Sequence, residues 1–348
     1  MTVNTQHLPN THLPRTPTLT IVIVHFNTAQ ITGHCVATLL KVLDPSPLKG
    51  LFEIVVIDNR SEPDQYYALD AQLKALQHPS IPASQHHFGA QLHQHGFGLG
   101  CMLGLNHSAG QYVAFVNSDT FFEEDCFTPL VAYLDAHPKA GVVTPQHLGE
   151  DGKPSRSFAR FDSLRSRLIG TWLEKATSRR SHPDPWAQYS EPVPVDFVFG
   201  SFMLFRLEAL AVSGGFDAAL FLYYEEMDIC WRLREAGYET IFFPGASFRH
   251  IGAASTKQSR ELRLESLLSL QHVFRKNRGF LAYCLLYLGL LLQYLLKAPF
   301  KSRNRWIFLR LLMQGPAGAN SMRVRQVCNF SIPPNPNISP TTGQQPRV

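Results

Sequence analysis

Three short polar clusters each follow an apolar run: His25-Phe26-Asn27, Asp58-Asn59-Arg60-Ser61 and Asn117-Ser118-Asp119. Asn117 and Asp119, one residue apart, offer hard oxygen ligands of the kind Mg2+ or Mn2+ takes when it bridges a diphosphate. His250, ending Ser247-Phe248-Arg249-His250, can add a nitrogen ligand. Glu225, Glu226 and Asp228 place three acids in one helical first turn. Acids there offset the helix dipole, and Asp228 reaches Arg232 one turn on. An unpaired acid facing a ligand can instead act as a general base. Each cluster alone also has a plain reading, because the turn after a strand prefers Asn, Asp and Ser and most histidines bind nothing. All three strand ends on one edge of one sheet would shift the balance towards a site.

The elements that must position these residues are legible as apolar runs. Leu19 to Phe26 and Phe52 to Asp58 are rich in β-branched residues and read as strands buried on both faces. A helical pattern from Cys35 to Leu43 lies between them, so the three form a βαβ unit with a right-handed crossover. Tyr112 to Val116 and Val142 to Thr144 read as further strands. Residues 150–192 read as one long loop or insertion. Asp196 to Arg206 is strand-like, Leu207 to Val212 and Glu225 to Glu235 are helices, and Thr240 to Pro244 is a last strand. In open parallel sheets ligands bind beyond the carboxyl ends of the strands, where the three polar clusters fall. The stretch Gly96-Phe-Gly-Leu-Gly is not a dinucleotide fingerprint, since no strand precedes it and no acid follows at the expected distance.

The chain has 348 residues, 45% of them hydrophobic and only 17% charged. That excludes a disordered, collagenous or coiled-coil protein. The six cysteines are scattered without metal-ligand spacing and read as free thiols in a reducing compartment. The polar, proline-containing start lacks the ordered regions of a secretory signal, so a cytoplasmic location is expected.

Charge is unevenly distributed. The first 265 residues carry 21 basic and all 27 acidic side chains, a net of −6, whereas Ser266 to Val348 carry eleven basic residues and no carboxylate. Phe280 to Leu296 is an apolar run flanked by Arg275, Lys276 and Arg278 on one side and Lys297, Lys301, Arg303 and Arg305 on the other. Seventeen helical residues reach about 25 Å, short of a ~30 Å hydrocarbon core. Basic flanks on both sides argue against a simple span. An in-plane or re-entrant helix on an anionic membrane is the expectation, with a short span and a buried soluble helix as the alternatives. Trp306 to Met313 reads as a second amphipathic piece or a short core helix. No nucleic-acid motif accompanies the basic residues.

Taken in order, Val24-His-Phe-Asn, Val56-Ile-Asp-Asn-Arg-Ser, Gly96-Phe-Gly-Leu-Gly, Phe115-Val-Asn-Ser-Asp-Thr, Phe199-Gly-Ser-Phe-Met-Leu-Phe-Arg, Gly214-Gly-Phe-Asp, Tyr223-Tyr-Glu-Glu-Met-Asp-Ile-Cys-Trp-Arg and Arg249-His resemble the family 2 inverting glycosyltransferases, in particular their rhamnosyltransferase-like branch. The resemblance covers about residues 18–255. It implies a GT-A fold, an α/β architecture with a mostly parallel sheet and flanking helices, using a nucleotide-diphosphate sugar and Mg2+ or Mn2+. By that analogy Asn27 and Asp58 hold the nucleoside, Asn117 and Asp119 take the metal and diphosphate position, His250 completes the metal site, and Glu226 is the base, with Asp228 the second candidate. The sequence departs from the family pattern at Gln94, Met102, Ser118 and Glu226, where the family usually has Asn, Asn, Pro and Asp. The expected organisation is a disordered leader over 1–18, a GT-A domain over 19–260, a helical membrane-associating segment over 261–314 and a disordered tail over 315–348. The expected activity is inverting transfer of a sugar, rhamnose or another hexose, to a lipid-linked or polysaccharide acceptor at the inner face of the cell membrane. A catalytically silent nucleotide-sugar binder and a membrane-attached scaffold are the competing classes.

Overall fold

A computed structural model describes residues 17–81, 96–168, 183–252, 259–297, 299, 301–314 and 321–322. Nearly all of the expected leader and tail, together with Gln94, lies outside them. Strands β1 (Leu19–His25), β2 (Phe52–Asp58) and β3 (Tyr112–Asn117) pair in parallel in the order β2-β1-β3. Helix α1 (Ala29–Leu43) makes the first crossover, and α2 (Pro63–Leu76) and α3 (Gly96–Leu105) follow β2. The strand β4 (Thr120–Phe121), helix α4 (Phe127–Ala136) and strand β5 (Ala140–Leu148) come next. The expected loop over 150–192 holds β6 (Phe158–Ala159) and the short helix α5 (Leu164–Leu168). After it come β7 (Val193–Val195), β8 (Phe197–Val198), β9 (Phe202–Arg206), α6 (Leu207–Val212), α7 (Glu225–Glu235) and β10 (Glu239–His250).

The main sheet runs β2-β1-β3-β9-β5-β10-β4, with β7 joined to β10. Its longest ladders, β1 with β2, β1 with β3 and β5 with β10, are parallel; β9 inserts antiparallel between β3 and β5. The last strand is longer than its apolar run suggested. It continues through an irregularity between Phe243 and Ser247, so His250 is part of the strand and pairs with Thr120.

Side chains alternate between two buried layers, as the period of two in a strand requires. Ile21, Ile23, Ile54, Val56, Ala114 and Val116 join the core under α1, α2 and α4. Val22, Val55, Ile57, Val113 and Phe115 join the core under α3, α6 and α7. A strand covered on both faces has no polar side to show, which is why these runs are continuously apolar.

The glycines after residue 95 serve this packing. A Cβ on Gly100 would lie 2.9 Å from Val24 Cγ1, and one on Gly104 would lie 2.2 Å from Val22 Cγ1. Glycine at this spacing lets α3 lie directly on β1, so the stretch is a helix-to-sheet contact.

Helix α8 (Arg260–Lys297) is two helices joined at Gly279, whose φ of 86° and ψ of 172° are not helical. The first half packs on the α/β body through buried Val273 and through Leu270 and Phe274, which meet Leu164, Leu168 and Tyr224, while Leu264 joins Tyr294, Ile307 and Leu311. Ser269, Lys276 and Asn277 of this half bond Leu222, Asp217 and Asp228, and helical geometry breaks at Gly279. The second half pairs with α9 (Ser302–Gln314) around Tyr294, Ile307 and Leu311.

Gly104→Ala should cost about 1–3 kcal/mol, the usual range for overpacking. Urea denaturation measures it. A loss below about 0.5 kcal/mol, typical of neutral surface changes, would show that α3 has slack against β1.

Candidate active site

The carboxyl ends of β1, β2 and β3 open on a cavity of about 690 Å³. Its wall includes Asn59 from the end of β2, Asn117, Ser118 and Asp119 from the end of β3, His250 from β10, and Glu225 and Glu226 from the first turn of α7. Of the seven residues singled out in the sequence, the structure brings Asn117, Asp119, His250 and Glu226 to this wall; Asn27, Asp58 and Asp228 are not among its lining residues.

Asp119 and His250 face each other, with His250 Nε2 3.0 Å from Asp119 Oδ1. Asn117 Nδ2 is 3.4 Å from the same ring nitrogen. The backbone fixes this arrangement, because Ile251 N donates to Asp119 O at 3.2 Å and Asn117 N donates to Ser201 O at 3.1 Å. One carboxylate, one imidazole and one carboxamide converge on one point and leave the remaining positions to oxygens of a ligand or water. That donor set suits a hard divalent cation. The His147 ring stands 5.3 Å from that of His250, its Nε2 buried without a hydrogen bond, and burial lowers its pKa.

Asp58 and Asn27 build the loops beside the cavity. The Asp58 carboxylate accepts from Arg60 N at 3.0 Å and from Ser61 N at 3.1 Å, while burial pushes its pKa up. Asn27 Oδ1 accepts from Glu62 N at 2.7 Å, and Ser61 Oγ is 2.9 Å from Asn27 N. Asn27 and Arg60 both sit in the left-handed region, at φ 52° and 65°. Asn tolerates that conformation better than most residues. These turns leave Asn59 facing the cavity, with Nδ2 3.5 Å from Gly96 O.

Helix α7 starts from two consecutive left-handed tyrosines, Tyr223 and Tyr224, both at φ 72°. Such strain persists only where surrounding packing imposes it. Here it delivers two carboxylates to the cavity. Glu225 is buried and its Oε1 has no hydrogen-bond partner; burial, and then the neighbouring Glu226, raise its pKa well above the ordinary value. Burial also raises that of Glu226. Burial thus holds both carboxyls towards their protonated forms, most strongly at Glu225, the more deeply buried of the two.

Asp228 lies on the other side of α7, fully buried. Its Oδ2 accepts from Arg232 Nη2 at 2.7 Å and from Lys276 Nζ at 3.0 Å, and its Oδ1 accepts from Asn277 Nδ2 at 3.1 Å. Lys276 also bonds Asp217 at 2.8 Å, beside His272 at 3.0 Å. The hydrogen bond from His272, and then that from Lys276, hold Asp217 well below the usual carboxylate range. These acids clamp α8 to α7 and do not face the cavity.

The family described as "Glycosyl transferase family 2" matches residues 20–211. The chain belongs to this family. It is 26% identical over 171 residues to an N-acetylglucosaminyl-diphospho-decaprenol L-rhamnosyltransferase of Mycobacterium tuberculosis, covering 48% of this chain and 55% of that one. It is 25% identical over 177 residues to the rhamnosyltransferase WbbL of Escherichia coli K12, covering 49% and 65%. The chain thus spans between half and two thirds of the length of these relatives. Among solved structures, it resembles GalNAc-T7 with UDP, GalNAc and Mn2+ at a TM-score of 0.53 and 18% identity, over 74% of this chain and 48% of that one. It also resembles the mannosyltransferase PcManGT of Pyrobaculum calidifontis in complex with GDP-Man and Mn2+, at a TM-score of 0.50 and 17% identity, over 87% of each. The fold of this family 2 chain is accordingly GT-A.

Sequence reasoning missed several lining residues. Asn59 faces the cavity although its neighbour Asp58 has the more telling side chain, and nothing in the local sequence ranks one above the other. His147 and Arg156 line the same cavity, and nothing in their local sequence points to it. Asp228→Ala should cost about 3–5 kcal/mol, the usual penalty for breaking a buried ion pair. Thermal and urea unfolding would measure it. Unchanged stability in that variant would remove the structural role assigned to Asp228.

Proposed function

We propose that this family 2 chain is an inverting glycosyltransferase that uses a nucleotide-diphosphate sugar and a divalent cation, and that its acceptor is lipid-linked. The observation that carries the reading is the convergence of Asn117, Asp119, His250 and Glu226 on one cavity from three separate segments. Asp119 and His250, with Asn117 beside them, would hold Mg2+ or Mn2+, which would supply positive charge to the departing diphosphate. Asn59 faces the donor, while Asn27 and Asp58 order the loops that present it. Glu226 takes the proton from the acceptor hydroxyl as its oxygen bonds to the anomeric carbon and the bond to the diphosphate oxygen breaks on the opposite side, which inverts the configuration. The Mn2+ in both structural relatives and the diphospho-decaprenol acceptor in the name of the Mycobacterium relative agree with this reading.

Glu226→Gln should abolish transfer and spare donor binding, and Asp119→Ala should remove metal-dependent nucleotide binding while the fold stays intact. Calorimetry with Mn2+ and a panel of nucleotide diphosphates, together with product formation, separates the two. Because burial raises the pKa of Glu226 and the base must be unprotonated, kcat/KM should fall as the pH drops, with a midpoint above the ordinary value of 4.5. A midpoint at or below 4.5 would hand the base role to another group.

The second half of α8 carries the proposed membrane contact. An 18-residue window of this helix has a mean hydropathy of 1.8 and is only 22% buried. Leu281, Leu285, Leu288, Leu292 and Leu295 are exposed at a spacing of three or four, one stripe of a helix. Tyr283, Leu286, Leu290 and Tyr294 on the other side are buried against the protein. A helix bound to protein along one face and bare along the other lies in the interface plane. Leu309, Leu312 and Met313 of α9 extend the bare surface, beside Lys297, Lys301, Arg303, Arg305 and Arg310. We infer that this face attaches the chain to the anionic inner face of the cell membrane. The full chain should sediment with anionic vesicles and less with neutral ones, and L285E/L288E/L292E should stay in the supernatant. Equal sedimentation of that triple variant would remove the stripe from the account.

A further inference from the structure

A second cavity, of about 270 Å³, shares Tyr223 and Leu262 with the large one. Two arginines, Arg167 and Arg263, line it, and among the described residues no carboxylate does. Tyr294, on the protein-facing side of the helix whose outer face is the leucine stripe, also lines it. From this continuity we infer that the small cavity is the subsite for the anionic diphosphate of a prenyl-type lipid acceptor, joining the catalytic cavity to the membrane. The inference rests on the transferase reading above and names the acceptor subsite for it.

The arginines are built in rather than loosely placed. Arg167 donates through Nη2 to Asp162 and to the Tyr224 hydroxyl, and its Nε is buried without a hydrogen bond. Its helix is tied to the membrane helix, because Gln293 Nε2 donates to the carbonyls of Arg167 and Leu168 at 3.1 Å each. Arg263 Nε donates to Tyr294 Oη at 3.0 Å, which aligns an otherwise exposed guanidinium with the cavity rim. Guanidinium groups bind phosphate oxygens through paired, charge-assisted hydrogen bonds.

The level of the cavity also matches. A helix with its side chains is about 10–12 Å across, and an interfacial helix sinks its apolar face about 5–10 Å into the headgroup and acyl boundary. The inner face of α8 then lies at the height of lipid phosphates. A diphosphate held there leaves the lipid chain on the leaflet side and directs the acceptor's sugar across the Tyr223 sill towards Glu226.

The test is calorimetric titration of the full chain in neutral detergent micelles with farnesyl diphosphate, inorganic diphosphate and farnesol. EDTA is present to exclude metal-dependent binding in the donor cavity. Farnesyl diphosphate should bind, and both Arg263→Glu, at an exposed position, and Ser266→Trp, which fills the cavity, should weaken it by about tenfold or more, as expected for losing a hydrogen bond to a charged group. Both variants should keep the wild-type Mn2+-dependent nucleotide affinity. Equal binding by wild type and variants, or none by wild type, overturns the subsite. Inorganic diphosphate binding as tightly as farnesyl diphosphate would make it a free-anion pocket, and farnesol binding as tightly would leave only the apolar stripe; either result overturns the proposal. Loss of Mn2+-dependent nucleotide binding in the wild type would instead overturn the donor-cavity reading, so the two failures are distinguishable.

Discussion

A strand buried on both faces can place polar chemistry only at its ends. In β1, β2 and β3 successive side chains enter one apolar core or the other, and a lone polar group in either would cost several kcal/mol unless paired. The cavity consequently forms where the strands stop, and the loops there must change direction within two or three residues. Asn27 and Arg60 meet that demand in left-handed conformations, and the Asp58 carboxylate and Asn27 side chain hold the turns by accepting backbone hydrogens. Asn59, Asn117 and Asp119 face the cavity.

The same economy of position separates the acids of α7. Residues 225 and 226 fall on the cavity side and Asp228 on the opposite side, where a carboxylate taken out of water requires cations. Arg232 comes from the same helix, but Lys276 and Asn277 come from α8. Lys276 bridges Asp228 and Asp217, so the turn before α7, α7 itself and α8 meet at one ammonium group. The helix that carries Glu226 and the helix that leads into the apolar stripe are thereby held in one fixed relation, and Gly279 provides the bend between the docked half and the exposed half.

Local pattern and composition determined much of this protein. Continuous apolar runs identified the buried strands, because covering both faces removes any alternation. The polar residues ending them marked the site, because turns and ligands both gather at strand ends. The absence of acids after Glu265, beside a long apolar run, marked a segment apart from the rest. Tertiary structure decided which polar residue at each end serves the loop and which faces the cavity, since adjacent residues such as Asp58 and Asn59 point opposite ways and composition cannot rank them. It decided that residues 260–278 belong to the packed body, because their partners Asp217 and Asp228 lie about fifty residues away in the chain. It also decided that the glycines after residue 95 form a helix lying on β1 and that His147 and Arg156 join the cavity, because these are contacts between distant segments and only the folded chain brings them together.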